Sequence, residues 1–251
     1  MLDLQSTSMS PAQEEGWQVL LDLSEVFPAD WCLIGGQMVW LLSIEYDVHP
    51  LRTTDDVDVV VDVRSNRSGI SAIGKWLEDH RFDLQVSSAG VGHRYIRDGE
   101  AGAGNVIFDV LAPENVGRRI LLATTRGAHT LEAPGTREAL NSAGPIQVSM
   151  TNRTGRVNRP SLMAAIFAKA AATKIPGRVN PDRDWEDAAF LLSLIPNPDE
   201  AAQALSKSQR RRLNNLQPLL KSDHAAWRRL DEERARLGQV ALEFLLNTKA
   251  E

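Results

Sequence analysis

The sequence predicts an α/β protein of the α+β kind, with a mixed region first and an almost wholly helical region after it. Two observations carry this. Up to about residue 150, short apolar runs bounded by glycine, proline and polar turn residues alternate with segments of helical periodicity. From Pro160 onward, strand signals disappear and apolar residues recur at helical spacing. We set the two regions at residues 1–155 and 156–251.

The elements follow in order. Residues 11–27 form a helix: Ser10 suits its N-cap, Pro11 suits its first turn, and apolar residues recur behind them. "DWCLIGG" is a short apolar strand ended by two glycines, and "QMVWLLSIEY" continues as a helix. A strand covers about residues 56–63, and a helix covers "SGISAIGKWLEDH". "FDLQV", "HRYIR" and "VIFDVLAP" read as strands, the last preceded by the glycine-rich "DGEAGAGN". Residues 114–144 give only short helical or irregular pieces, and "PIQVSM" and "GRVN" flank "TNRT" as a hairpin. Beyond Pro160 come helices over "SLMAAIFAKAAATKI" and "RDWEDAAFLLSLI", then two or three more.

Composition excludes several classes. The 251 residues are 43% hydrophobic and 24% charged, ordinary for a globular chain. No apolar run approaches a bilayer span, and the N-terminus lacks the basic start and apolar middle of a signal peptide, so a cytoplasmic protein without a membrane segment is expected. The single Cys32 rules out an internal disulfide and reads as a buried, inert thiol within "WCLIGG". The net charge of −5 hides an asymmetry: residues 1–150 carry 11 Lys and Arg against 21 Asp and Glu, residues 151–251 carry 17 against 12. An acidic half joined to a basic half suits a metal centre facing a polyanion, and equally two halves that attract one another.

Chemistry concentrates in "RTTDDVDVVVD". On a strand, residues i and i+2 share a face about 7 Å apart, so Asp56 and Asp58 project together while Val57, Val59 and Val61 face the core. Two such carboxylates can share hard divalent cations; an edge strand with a solvated outer face is the alternative. Asp62 shares their face but lies too far along, and Asp55 points the other way or belongs to the entering turn. Asp109 is the only charge in "VIFDVLAP", flanked on its own face by Ile107 and Leu111. A carboxylate there needs coordination or a salt bridge, with Arg94 or Arg52 as candidate partners. If the two strands are neighbours, Asp109 completes a three-carboxylate metal site. "LIGGQMVW" adds a strand, Gly35-Gly36 and a helix start, which together can cradle phosphate.

Strand–Gly-Gly–helix, then Asp-x-Asp, then one Asp on a later strand: this order resembles the polymerase-β-type nucleotidyltransferase superfamily. Arg52, Thr54, Asp56 and Asp58 match an "R-x-T-x-D-h-D" pattern that is similar to the AbiEii/AbiGii-type branch, which includes the MenT-like toxins. "LMAAIFAKAAATK" and "RDWEDAAFLL" resemble that branch's downstream lysine and acidic helix, with Lys169 as the lysine's counterpart, Lys174 as the alternative, and Asp184 and Asp187 as the acids. The resemblance spans roughly residues 30 to 195. The gap between Gly36 and Asp56 is longer than in many superfamily members, and Gly-Gly stands where Gly-Ser is common.

The resemblance implies a polymerase-β-like core followed by a helical domain that completes the active-site cleft. It also implies transfer of a nucleoside monophosphate from an NTP to an acceptor hydroxyl, with Mg²⁺ or Mn²⁺ held by Asp56, Asp58 and Asp109. Gly35 and Gly36 would hold phosphate, Lys169 would meet the triphosphate, and Arg52 and Thr54 would order the turn or touch phosphate. Asp184 or Asp187 would serve as a base or orienting group, against a plain helix-dipole role. His93 or Arg94 would face the nucleotide, or simply lie on an exposed strand. The basic stretch with Arg210, Arg211, Arg212, Arg228 and Arg229 is either a tRNA-contacting surface or a solvated helix face. The implied partners are an NTP, a tRNA acceptor and a neutralising antitoxin. A small-molecule acceptor, or an inactive homologue that binds nucleotide or a partner, are the competing readings.

Overall fold

The computed structural model describes residues 1–102, 104–117, 122–151, 153–177 and 180–247. The fold is α+β with a helical C-terminal part, and the chain divides into two compact units, Met1–Pro160 and Ser161–Glu251. The sequence-based division at 155 would cut through a strand that runs to Arg159.

The first unit contains, in order, β1 (Leu2–Asp3), α1 (Pro11–Val26), β2 (Trp31–Ile34), α2 (Gly35–Glu45), β3 (Asp56–Val61) and α3 (Gly69–Asp79). Then come β4 (Asp83–Gln85), β5 (Arg94–Asp98), β6 (Asn105–Pro113), β7 (Glu132–Ala133), α4 (Thr136–Asn141), β8 (Gly144–Met150) and β9 (Arg153–Arg159). The main sheet has the order β2-β3-β6-β5-β4, with β7 added beside the end of β6. Only β3–β6 and β6–β7 pair in parallel; the other neighbours in this sheet are antiparallel. A smaller sheet runs β1-β8-β9.

Local chemistry explains the element starts. Ser10 Oγ accepts the amide of Gln13 at 3.0 Å and Pro11 occupies the first turn of α1. Alternation in β3 buries Val57, Val59 and Val61 while Asp56 and Asp58 stay half-exposed. Helix α1 covers the valine face so closely that a Cβ on Gly16 would stand 3.2 Å from Val57 Cγ2. Helix α3 covers the same face, where a Cβ on Gly74 would reach Tyr95 Cζ at 3.0 Å. The carboxylate face of the sheet is therefore the one that α1 and α3 leave open.

Some expectations shift. Helix α2 begins at Gly35, two residues before the apolar pattern starts. Asp62 lies beyond β3 and folds a turn, accepting the amide of Arg64 at 3.0 Å and the hydroxyl of Ser65 at 2.6 Å. Strands β1 and β7 were not anticipated, because two residues carry no readable alternation. Within 114–144 the described residues form β7, α4 and a 3-10 turn at Thr125–Gly127. Residues 118–121, and Asn152 of the "TNRT" turn, lie outside the described residues.

The second unit contains α5 (Leu162–Ala172), α6 (Asp182–Ser193), α7 (Pro198–Gln203), α8 (Lys207–Leu213) and α9 (Glu232–Asn247), with 3-10 segments at Asn214–Leu220 and Ala225–Arg229. Its core joins Ala165, Ile166, Phe190, Leu191, Leu219 and Leu242, all buried. No helix among the described residues is long and apolar enough to cross a membrane.

Candidate functional site

Strand register builds a charged row across the first unit's main sheet. Ile34 of β2 pairs with Asp58 of β3, Asp58 with Asp109 of β6, and Asp109 with Arg94 of β5. Directly paired residues share a face, so Asp58, Asp109 and Arg94 stand side by side. Asp56 lies on the same face two residues along, opposite Ile107.

At the Ile34 end, Gly35 adopts φ +70°, a region that favours glycine. A Cβ there would fall 2.6 Å from Asp58 Cγ and 2.9 Å from its Cβ, and closer still to Oδ2. A Cβ on Gly36 would fall 2.8 Å from Thr54 Oγ1. Both glycines thus let the first turn of α2 lie against the strand that carries Asp56 and Asp58. No side chain caps the N-terminus of α2, so its leading amides carry no side-chain acceptor. The approach to β3 is pinned from behind. The Gln37 amide donates to the Thr54 carbonyl, while Gln37 Oε1 accepts from Trp17 Nε1 at 2.9 Å and Gln13 Nε2 at 3.1 Å. Asp55 accepts from the Ser10 hydroxyl and lies outside the row. Arg52 and Thr54 are half-exposed in the same approach.

Arg94 dominates the electrostatics. Its Nε donates to Asp109 Oδ1 at 2.9 Å and its Nη2 to Asp109 Oδ2 at 2.7 Å, a two-point fork. The same Nη2 donates to Asp56 Oδ2 at 3.2 Å. Asp109 is 5% exposed, so the fork supplies the compensation that a buried carboxylate requires. The hydrogen bond to Asp109 raises the Arg94 pKa, burial opposes this, and Asp109, Asp56 and Asp58 add their charges to the rise. Of the two salt-bridge partners the sequence offered for Asp109, Arg94 is the one that pairs with it. Among the described residues no group of three or more His, Cys, Asp or Glu is gathered closely enough to hold a metal ion. The row brings Asp58 and Asp109 together, and joins Asp56 to Asp109 through a guanidinium.

His93 stands next to this centre. Its Nδ1 is buried without a hydrogen-bond partner among the described residues. Burial lowers its pKa most, the Asp109 charge raises it, and Arg94 lowers it. Cys32, on β2, is fully buried, and burial pushes its thiol pKa far up, as expected for an inert thiol.

In the second unit, α5 and α6 bring together the other predicted residues. Lys169 is buried, and its Nζ lies 2.7 Å from Asp187 Oδ2 and 3.5 Å from Asp184 Oδ1. Both aspartates are buried and, three residues apart, point at α5 together. Lys169 is thus neither a surface lysine nor a solvent-facing cation, and Asp187 is its shorter contact. Lys174 lies past the end of α5 and is exposed. The arginines do not form one uniform patch. Arg211 and Arg228 are exposed, Arg210 donates to the Ala202 carbonyl at 2.5 Å, and Arg229 lies 3.5 Å from Glu186.

No family model matches this sequence, and a search of curated proteins finds no relative.

Proposed function

We propose that the chain is a divalent-metal-dependent nucleotidyltransferase, releasing pyrophosphate as it moves a nucleoside monophosphate from an NTP to an acceptor hydroxyl. The observation that carries this reading is the direct register of Asp58 with Asp109, with Gly35 seated against Asp58.

The donors suit Mg²⁺ or Mn²⁺, since every candidate ligand atom on this face is a carboxylate oxygen. Gly35 lets the first turn of α2 close directly onto the Asp58 carboxylate, which sets that turn beside the candidate ligands. Asp56, Asp58 and Asp109 would hold the metal, which when bound supplies charge neutralisation of the triphosphate and acidifies the acceptor hydroxyl. The chain's own groups do the rest. The amides of Gly35 and Gly36 and the α2 N-terminus would receive phosphate oxygens. Gln37, by gripping the Thr54 carbonyl, holds the Asp-bearing strand in line with that turn. His93, favoured neutral by burial, would offer a proton-accepting nitrogen rather than a second cation. Lys169 and Asp184 are proposed as supports that shape the second unit, with Asp187, rather than as groups that deliver free charge to substrate.

We take tRNA as the first acceptor to test, with the chain acting in the cytoplasm as the toxin of a toxin–antitoxin pair. Incubation with labelled NTPs and either total tRNA or aminoglycosides separates the acceptors. Label on RNA supports the first choice, and label only on the small molecule moves the activity to the antibiotic-modifying class. A binding module without transfer activity is favoured by one observation: Arg94 already compensates Asp109 and contacts Asp56. Unchanged nucleotide binding with no transfer to either acceptor would select that reading.

A further inference from the structure

We propose that Arg94 is the chain's own stand-in for a divalent cation, occupying the carboxylate oxygens of Asp109 and Asp56 and leaving them when a metal ion binds. The inference rests on the metal-dependent reading above and adds to it a residue that must move.

Three features of the geometry argue for exchange rather than for a permanent pair. First, the guanidinium uses both oxygens of Asp109, at 2.9 and 2.7 Å, and one of Asp56, at 3.2 Å. A cation chelated by both Asp109 oxygens would compete with the fork for them. Second, Asp109 is 5% exposed, so its charge needs a partner whether or not a metal is present. The Arg94 fork meets that need. Third, the Arg94 side chain is 39% exposed, as is the Asp56 side chain at 40%. The arginine is anchored on the strand and part-exposed along its side chain, so it can leave its partners without unpacking the sheet.

Charge points the same way. Asp56, Asp58 and Asp109 bring three carboxylates to this face, and Arg94 is the cation on Asp109 and Asp56. Replacing the guanidinium by the neutral amide of glutamine leaves a more negative pocket, which attracts a divalent ion more strongly. Retaining a charge but losing the planar fork weakens the hold on Asp109 only in part.

The test is titration calorimetry of Mn²⁺ alone into the full, nucleotide-free chain, for wild type, Arg94→Gln, Arg94→Lys and Asp58→Asn, together with thermal unfolding in EDTA and in Mn²⁺. The expected result is Mn²⁺ binding at least about tenfold tighter in Arg94→Gln than in wild type, with Arg94→Lys between them. Arg94→Gln should also melt below wild type in EDTA and regain most of the difference in Mn²⁺, because the ion then compensates Asp109. Equal or weaker binding in Arg94→Gln, with wild-type binding abolished by Asp58→Asn, overturns the exchange and leaves the metal site standing. Failure of both wild type and Arg94→Gln to bind Mn²⁺ overturns the metal-dependent reading and the exchange with it. Should the glutamine variant not fold, Arg94→Lys carries the test, and an affinity equal to wild type overturns the proposal.

Discussion

Gly35 lies against Asp58, at a position where φ is +70° and an added Cβ would fall 2.6 Å from the carboxylate carbon. Two constraints thus fall on one residue, a backbone conformation that L side chains avoid and a space already claimed by a proposed metal ligand. Gly35→Ala is expected to cost about 1–3 kcal/mol of stability through the strained backbone alone. Because Asp58 must also shift, transfer activity should fall by roughly 100-fold, the scale produced by displacing a reacting group by about an ångström. Thermal unfolding and a transfer assay on the same sample separate the two effects.

The second unit makes a contrasting prediction. Lys169 is buried with Asp184 and Asp187. Lys169→Met leaves two buried carboxylates short of a cation, which should cost about 3–5 kcal/mol. Lys174→Ala, at an exposed turn, should fall within about 0.5 kcal/mol of wild type. Chemical denaturation distinguishes them. A stable Lys169→Met protein with lost activity would instead return that lysine to the substrate.

The pH dependence centres on His93. Burial lowers its pKa below the ordinary 6.5, so the unfolded chain binds this proton more readily than the folded one. His93 therefore costs nothing above pH 6.5, and stability falls as pH drops from there through the lowered folded value. His93→Gln should flatten that part of the stability curve between pH 7 and 5, read as thermal midpoints in buffers of equal ionic strength. A curve of unchanged slope would assign the loss to other groups.

Cys32 supplies a control on the first unit's core. It is buried on β2 with its thiol pKa pushed far up, so it should stay unmodified by a thiol reagent in the native state and react at once in denaturant.

How much of this was legible follows from the range of each interaction. The start of α1 was readable because Ser10 and Pro11 act within one turn. The division of β3 into a carboxylate face and a valine face was readable because alternation is local to the strand. The partner of Asp109 was not. Choosing Arg94 over Arg52 requires knowing that β5 flanks β6 with Arg94 opposite Asp109, a long-range register that the strand sequences do not state. The burial of Lys169 was not readable for a similar reason. A lysine on an apolar helix reads as surface or substrate-facing, and its burial appears only when α5 packs on α6. Asp62 seemed to continue the β3 pattern, but Ser65 draws it into a turn. His93 carried a signal, its neighbour Arg94, though its buried, unpartnered Nδ1 depends on the folded sheet.

Asp58 and Asp109 are aligned on adjacent strands and are proposed to serve nucleotidyl transfer. Mass spectrometry of total tRNA after incubation with each NTP and Mg²⁺ tests it most directly, with Asp58→Asn in parallel. The wild-type chain should yield RNA heavier by one or more nucleoside monophosphates, and the variant unmodified RNA. Contradiction would come from RNA that gains the same mass with Asp58→Asn as with wild type.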